Sequence, residues 1–143
     1  MLIIDLRYAD DARTRDNRAA LDRLVTDELA AGVIAYTLWE VVGILSFGTP
    51  DHDVPDLPKR LLDRYSLRLI PDDLDHDLLT KGGRSDLLLR MKKGMAVGDA
   101  IQAAEIAEHA PDADCLLTWN SKHFVGELPV PVLTPREWLD GRA

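Results

Sequence analysis

The 143-residue chain has the length of one ordinary domain, long enough to bury most of the surface it would expose unfolded, so a single domain over residues 1–143 is expected. Its 46% hydrophobic and 29% charged residues exclude a disordered or collagen-like chain, and a net charge of -8 argues against binding nucleic acid by bulk electrostatics. No apolar run approaches the roughly 20 residues of a membrane-spanning helix, and MLIIDLRYADD lacks the basic-then-apolar pattern of a secretion signal, so no membrane contact and a cytoplasmic location are expected.

In chain order, the apolar run LIID (2–5) predicts a strand ending in an acid, and the stretch from Ala12 to Ala31 predicts a helix stopped by Gly32. In that helix Leu21, Leu24, Val25 and Leu29 form the apolar face. VIAYT (33–37) reads as a second strand, and Thr37-Leu-Trp-Glu40 has the form of a capping box that starts the next helix. GTPDHDVPDLP (48–58) reads as a loop, Leu57, Leu61, Leu62 and Tyr65 as an amphipathic helix, and SLRLI as a short strand. Ser85 is expected to cap a helix through Leu87, Leu88 and Met91, ending at Gly94. Val97, Ala100, Ile101, Ala104 and Ala107 share one helical stripe closed by Pro111; CLLT (115–118) follows as a strand, VPVL as the last strand, and TPREWL as a closing helix capped by Thr134. Helices alternating with short apolar strands indicate an α/β fold with a mostly parallel sheet covered on both faces, whose ligands gather at the carboxyl ends of strands.

Three of these strands are followed by a side-chain oxygen donor: Asp5 after LII, Glu40 one helical turn after VIAYT, and Asn120 after CLLT, while Asp99 opens the helix before CLLT. Singly, each acid is explained by helix capping or the helix dipole; together at one sheet edge they suggest chemistry. Carboxylates about 4 Å apart repel by roughly 4 kcal/mol at an effective dielectric near 20, so protons or a divalent cation must offset them. Oxygen donors with no cysteine and no convergent histidine suit Mg²⁺ or Mn²⁺ rather than zinc, and the natural reaction is phosphodiester hydrolysis.

The stretch GDAIQAAEIAEHAPDADCLLTWNSKHF resembles the C-terminal half of PIN domains, with the Asp-Ala helix followed by a strand and T-W-N. LIID, IAYTLWEVVGIL and PVLTPREWL resemble the family's first strand, its Glu-bearing helix and its closing strand and helix. The resemblance implies a three-layer α/β/α PIN-like fold and a Mg²⁺- or Mn²⁺-dependent ribonuclease acting on single-stranded RNA. It further implies a toxin held by a cognate antitoxin, and a homodimer. It makes Asp5, Glu40 and Asp99 the metal-binding acids and puts Asn120 at the fourth acidic position. Two residues depart from the family pattern: Leu6 follows the first acid where a Thr or Ser is common, and Asn120 offers one neutral oxygen in place of a carboxylate.

Arg84, Arg90, Lys92 and Lys93, with Lys122 beyond Asn120, are the local basic candidates for RNA phosphates in an acidic chain, set against a solvated helix end. Asp51-His52-Asp53 and the run Asp72 to Asp77 read as solvated loops, His109 and His123 as surface or packing residues, Cys115 as a buried small hydrophobe, and Trp39, Trp119 and Trp138 as core or subunit contacts. A phosphate-accepting receiver domain would need an acidic pair beside the first strand, which LIIDLR lacks, and no phosphate-binding glycine motif is present. The competing class is a catalytically silent PIN-like module that binds protein.

Overall fold

A computed structural model of the chain describes residues 1–8, 10–72 and 81–141. Its first element is a helix, α1 (Leu2–Arg7), where a strand is expected. Leu2 and Leu6 stand one helical turn apart and both pack into the core, and six residues are too few for the apolar period to separate strand from helix. Arg7 then closes a neighbouring helix, donating from its guanidinium to the Ile44 carbonyl at 2.8 Å.

Helix α2 (Thr14–Thr26) stops five residues before the expected end, because Glu28 adopts the left-handed region at φ 50 and Leu29 N–H turns back to the Leu24 carbonyl. Val25 and Leu29, expected in its apolar face, are each 42% exposed, and the buried side is Thr14, Asn17, Ala20 and Leu21. Asn17 is fully buried because both ends of its amide are used: it donates to the Met1 carbonyl at 3.2 Å and accepts from the Trp119 indole at 3.0 Å.

Strand β1 (Gly32–Ile34) gives way at once to helix α3 (Ala35–Ser46), so the expected strand residues Ala35 to Thr37 are helical. Thr37 lies inside this helix, whose N-cap is Ile34 with no capping side chain of its own. The expected 48–58 loop contains a 3-10 turn (Asp51–Asp56) leading into α4 (Leu57–Arg64), and β2 (Arg68–Ile70) follows. Helix α5 (Lys81–Lys92) contains Ser85 within it rather than at its cap. Beyond it come α6 (Val97–His109), β3 (Leu116–Leu117), β4 (Val132–Leu133) and α7 (Pro135–Leu139), all near their expected places. The Thr134 capping box is formed in full: its hydroxyl accepts from the Glu137 N–H, and the Glu137 carboxylate accepts from the Thr134 N–H.

Both strand pairings are parallel, β1 with β2 (Val33 opposite Leu69) and β3 with β4 (Leu117 opposite Leu133). They form two separate two-stranded sheets rather than one central sheet, in a mixed α/β chain dominated by helix. One core cluster gathers Leu2, Leu21, Val33, Leu38, Val41, Leu61, Tyr65 and Leu69; a second gathers Ile34, Ile106 and Val130 with Leu116. Ala100, Ala103 and Ala104 on α6 are buried almost completely, whereas Val97, expected on the same stripe, is 54% exposed. Cys115 is half-buried, and Asp73 to Asp77 of the acidic run lie outside the described residues.

Candidate active site

The first turns of α3 and α6 approach each other, and the reason is written in three residues. Gly98 has no side chain, so Tyr36 and Glu40 come close: a methyl group there would stand 3.3 Å from the Tyr36 hydroxyl and 3.6 Å from Glu40 Oε1. Gln102, one turn further along α6, donates to Glu40 Oε2 at 2.9 Å. Asp99 follows Gly98 directly, and its charge is felt at the Tyr36 hydroxyl. Burial raises the Tyr36 hydroxyl above its ordinary value, and the negative charges of Glu40, Glu105 and Asp99 add to the effect.

Asp99 is joined to the segment after β3. Its Oδ2 lies 2.7 Å from Nδ1 of His123, and that same nitrogen lies 2.7 Å from the side-chain amide of Asn120. The 3-10 turn Ser121–His123 makes this possible, since the Asn120 N–H is tied to the Thr118 hydroxyl at 3.1 Å and Phe124 anchors the turn in the interior at 1% exposure. The structure therefore joins Asp99 to Asn120 through His123 and places Glu40 against Gly98 and Gln102 of the same helix, with the charges of both Glu40 and Asp99 felt at the Tyr36 hydroxyl.

It does not bring Asp5 to them. On helix α1 the Asp5 carboxylate accepts from the Tyr65 hydroxyl at 2.8 Å and from Arg18 Nε at 3.1 Å, with Arg64 3.6 Å away. It opens on a separate cavity of about 460 Å³ lined by Arg18, Asp22, Val25, Arg64 and Tyr65 among others. The physical cause is the first element: a helix packed against α2 turns position 5 toward α2 and α4, where a strand end was expected to turn it toward the other acids. Among the described residues no three of His, Cys, Asp and Glu gather as a metal-holding group.

Glu105 is the residue the sequence reading missed. It is fully buried, accepts from the Tyr36 N–H at 3.4 Å through Oε2, and leaves Oε1 without a partner among the described residues. Desolvation pushes its carboxyl up to about 7 against the opposing pull of the Tyr36 N–H. It performs for α3 what Ile34 cannot, placing an acceptor at the helix N-terminus from another element. The signal was a lone carboxylate one helical turn after Ile101, on the alanine-rich side of α6.

The basic candidates divide. Arg90 is buried and tied down: its Nε meets Asp86 at 2.7 Å and its Nη1 donates to the Glu127 carbonyl, so it joins α5 to the 121–127 segment and is not free for phosphate. Arg84, Lys92, Lys93 and Lys122 are exposed. Trp39 is 43% exposed, while Arg23 stacks on Trp138 with its guanidinium 4.9 Å from the ring centre. Among the described residues no helix is long and apolar enough to cross a membrane. The chain matches no protein-family model, no curated protein and no solved structure.

Proposed function

We propose that the chain is a PIN-type ribonuclease that hydrolyses phosphodiester bonds of single-stranded RNA with Mg²⁺ or Mn²⁺, and that it is the toxin of a toxin-antitoxin pair. The observation that carries this reading is that the charges of Glu40 and Asp99 both act on the Tyr36 hydroxyl where α3 meets α6, with Asn120 beside Asp99 through His123. The sequence blocks GDAIQAAEIAEHA and CLLTWN support it. A divalent cation bound there would lower the pKa of a bound water and polarise the phosphate. The chain's own residues divide the remaining work. Gln102 orients the Glu40 carboxylate, Asp99 supplies the second negative group, and Asn120 adds a neutral oxygen. The exposed cations Arg84, Lys92, Lys93 and Lys122 hold the RNA backbone locally in a chain whose overall charge repels it.

The reading includes a three-layer α/β/α PIN-like core, a homodimer, a cytoplasmic location and a small antitoxin whose Arg or Lys reaches the acid cluster. The test is cleavage of single-stranded RNA by the purified chain. Cleavage is expected only with Mg²⁺ or Mn²⁺, and Glu40→Gln and Asp99→Asn are each expected to lower it at least a hundredfold, about 3 kcal/mol of transition-state stabilisation. Activity that persists in EDTA or survives both substitutions removes the assignment. A second reading, a silent PIN-like module that binds protein, is favoured by one observation: Asp5 is engaged by Arg18, Arg64 and Tyr65 rather than by the other acids.

A further inference from the structure

The cavity of about 460 Å³ lined by residues of α1, α2 and α4 has a buried carboxylate at its base and two guanidiniums at its mouth. Asp5 is 9% exposed there, and both of its oxygens are already provided for: Oδ2 accepts from the Tyr65 hydroxyl at 2.8 Å and Oδ1 from Arg18 Nε at 3.1 Å. One arginine balances its charge. Arg64 nevertheless stands 3.6 Å from Oδ2 and lies over the Tyr65 ring, its guanidinium 5.3 Å from the ring centre. Asp22, the other acid lining the cavity, is exposed and forms no ion pair with either arginine among the described residues. Two cations thus converge on one buried carboxylate, which leaves an excess of positive charge at the cavity. Most of the five N–H donors of each guanidinium are not taken by Asp5.

We infer that this cavity is a phosphate site, in which Arg18 and Arg64 hold the anion while Asp5 and Tyr65 position the two guanidiniums. The arginines come from different helices, α2 and α4, so their donors reach the cavity from two sides. A carboxylate presents two oxygens in one plane, which a single guanidinium satisfies; a tetrahedral phosphate presents oxygens to two guanidiniums at once. Fixing both cations beforehand on a buried acid lowers the cost of ordering them when the anion arrives. The site lies apart from Glu40, Asp99 and Asn120, and the inference stands independently of metal-dependent cleavage.

Calorimetric titration of the full-length chain with inorganic phosphate, in EDTA and at constant ionic strength, tests this, with acetate as the planar comparison. Phosphate is expected to bind the wild type about tenfold or more tightly than acetate. Arg18→Gln and Arg64→Gln are each expected to weaken it by about tenfold or more, whereas Arg68→Gln, at an exposed arginine outside the cavity, leaves it within about twofold. Arg64→Gln keeps Asp5 bonded to Tyr65 and Arg18, and carries the test should Arg18→Gln unfold. A short single-stranded RNA lacking terminal phosphates, titrated under the same conditions, separates the sources of the phosphate. RNA binding that the same variants weaken and phosphate displaces assigns the site to the RNA backbone; RNA binding indifferent to them assigns it to free phosphate or a phosphomonoester. Phosphate bound no more tightly than acetate, or with equal affinity in wild type and both glutamine variants, overturns the inference. Cleavage of RNA with Mn²⁺ is read separately, and its absence overturns the nuclease reading alone.

Discussion

Glu105 shows how one side chain couples pH to the fold. Its carboxyl is raised from 4.5 to about 7, chiefly because burial disfavours its charged form. Below 4.5 the folded and unfolded chains are both protonated; between 4.5 and 7 only the folded chain holds the proton, so stability falls as pH rises through that window and levels off above it. Glu105→Gln keeps an oxygen for the Tyr36 N–H and removes the titration. Urea unfolding is therefore expected to show the variant gaining on wild type from pH 4.5 to pH 8, by something of the order of 3 kcal/mol; parallel curves would remove Glu105 as the source. Asp5 makes the opposite kind of prediction. With its side chain 9% exposed between Tyr65, Arg18 and Arg64, Asp5→Asn is expected to cost about 1–3 kcal/mol of stability and to leave RNA cleavage by the folded protein in place. Loss of cleavage at unchanged stability would return Asp5 to the acid set.

Among the elements, those with a strong local signature were legible. Helix α7 is the clearest, since Thr134, Pro135 and Glu137 spell both halves of a capping box and the structure forms both. Thr134→Ala is expected to lower stability by about 1 kcal/mol, near 3 °C in the melting midpoint for a chain of this size, and circular dichroism on heating checks it. A midpoint unchanged within error would mean that packing of α7 on α2 holds the helix without its cap. Helix α6 was legible for a related reason, since an alanine stripe of full helical length admits one reading, whereas of the expected strand VIAYT only Val33 and Ile34 are extended. The first element was not, because six residues with Leu2 and Leu6 inward satisfy a helix as well as a strand. That single ambiguity carried into the site, since a strand and a helix send position 5 in different directions. Thr37-Leu-Trp-Glu40 failed for another reason: its capping pattern is genuine, yet the buried Glu105 meets the N–H of Tyr36, a helix has one N-terminus, and here it begins at Ala35. No local pattern in the sequence announces a cap supplied from 69 residues away.

At the scale of the whole molecule, the chain carries a net charge of -8, and its candidate site concentrates part of that charge where α3 and α6 meet. The charges of Glu40, Asp99 and Glu105 all act on the Tyr36 hydroxyl there, and charge of one sign gathered around one partly buried group opposes folding unless protons or a cation offset it. A cation that binds only the folded arrangement therefore stabilises the entire chain, by RT ln(1 + [L]/Kd), or about 2.7 kcal/mol at a hundred times Kd. For a domain of this length that amounts to a rise of roughly 5–10 °C in the thermal midpoint. Melting in EDTA and in millimolar Mn²⁺, at constant ionic strength so that general screening is held fixed, is expected to show such a rise in the wild type. Asp99→Asn should abolish it, whereas Asp51→Asn, an exposed acid in the 3-10 turn before α4, should leave it intact. Equal midpoints in Mn²⁺ and EDTA would select the silent protein-binding module, because a fold that gains nothing from the ion has no site prepared for it.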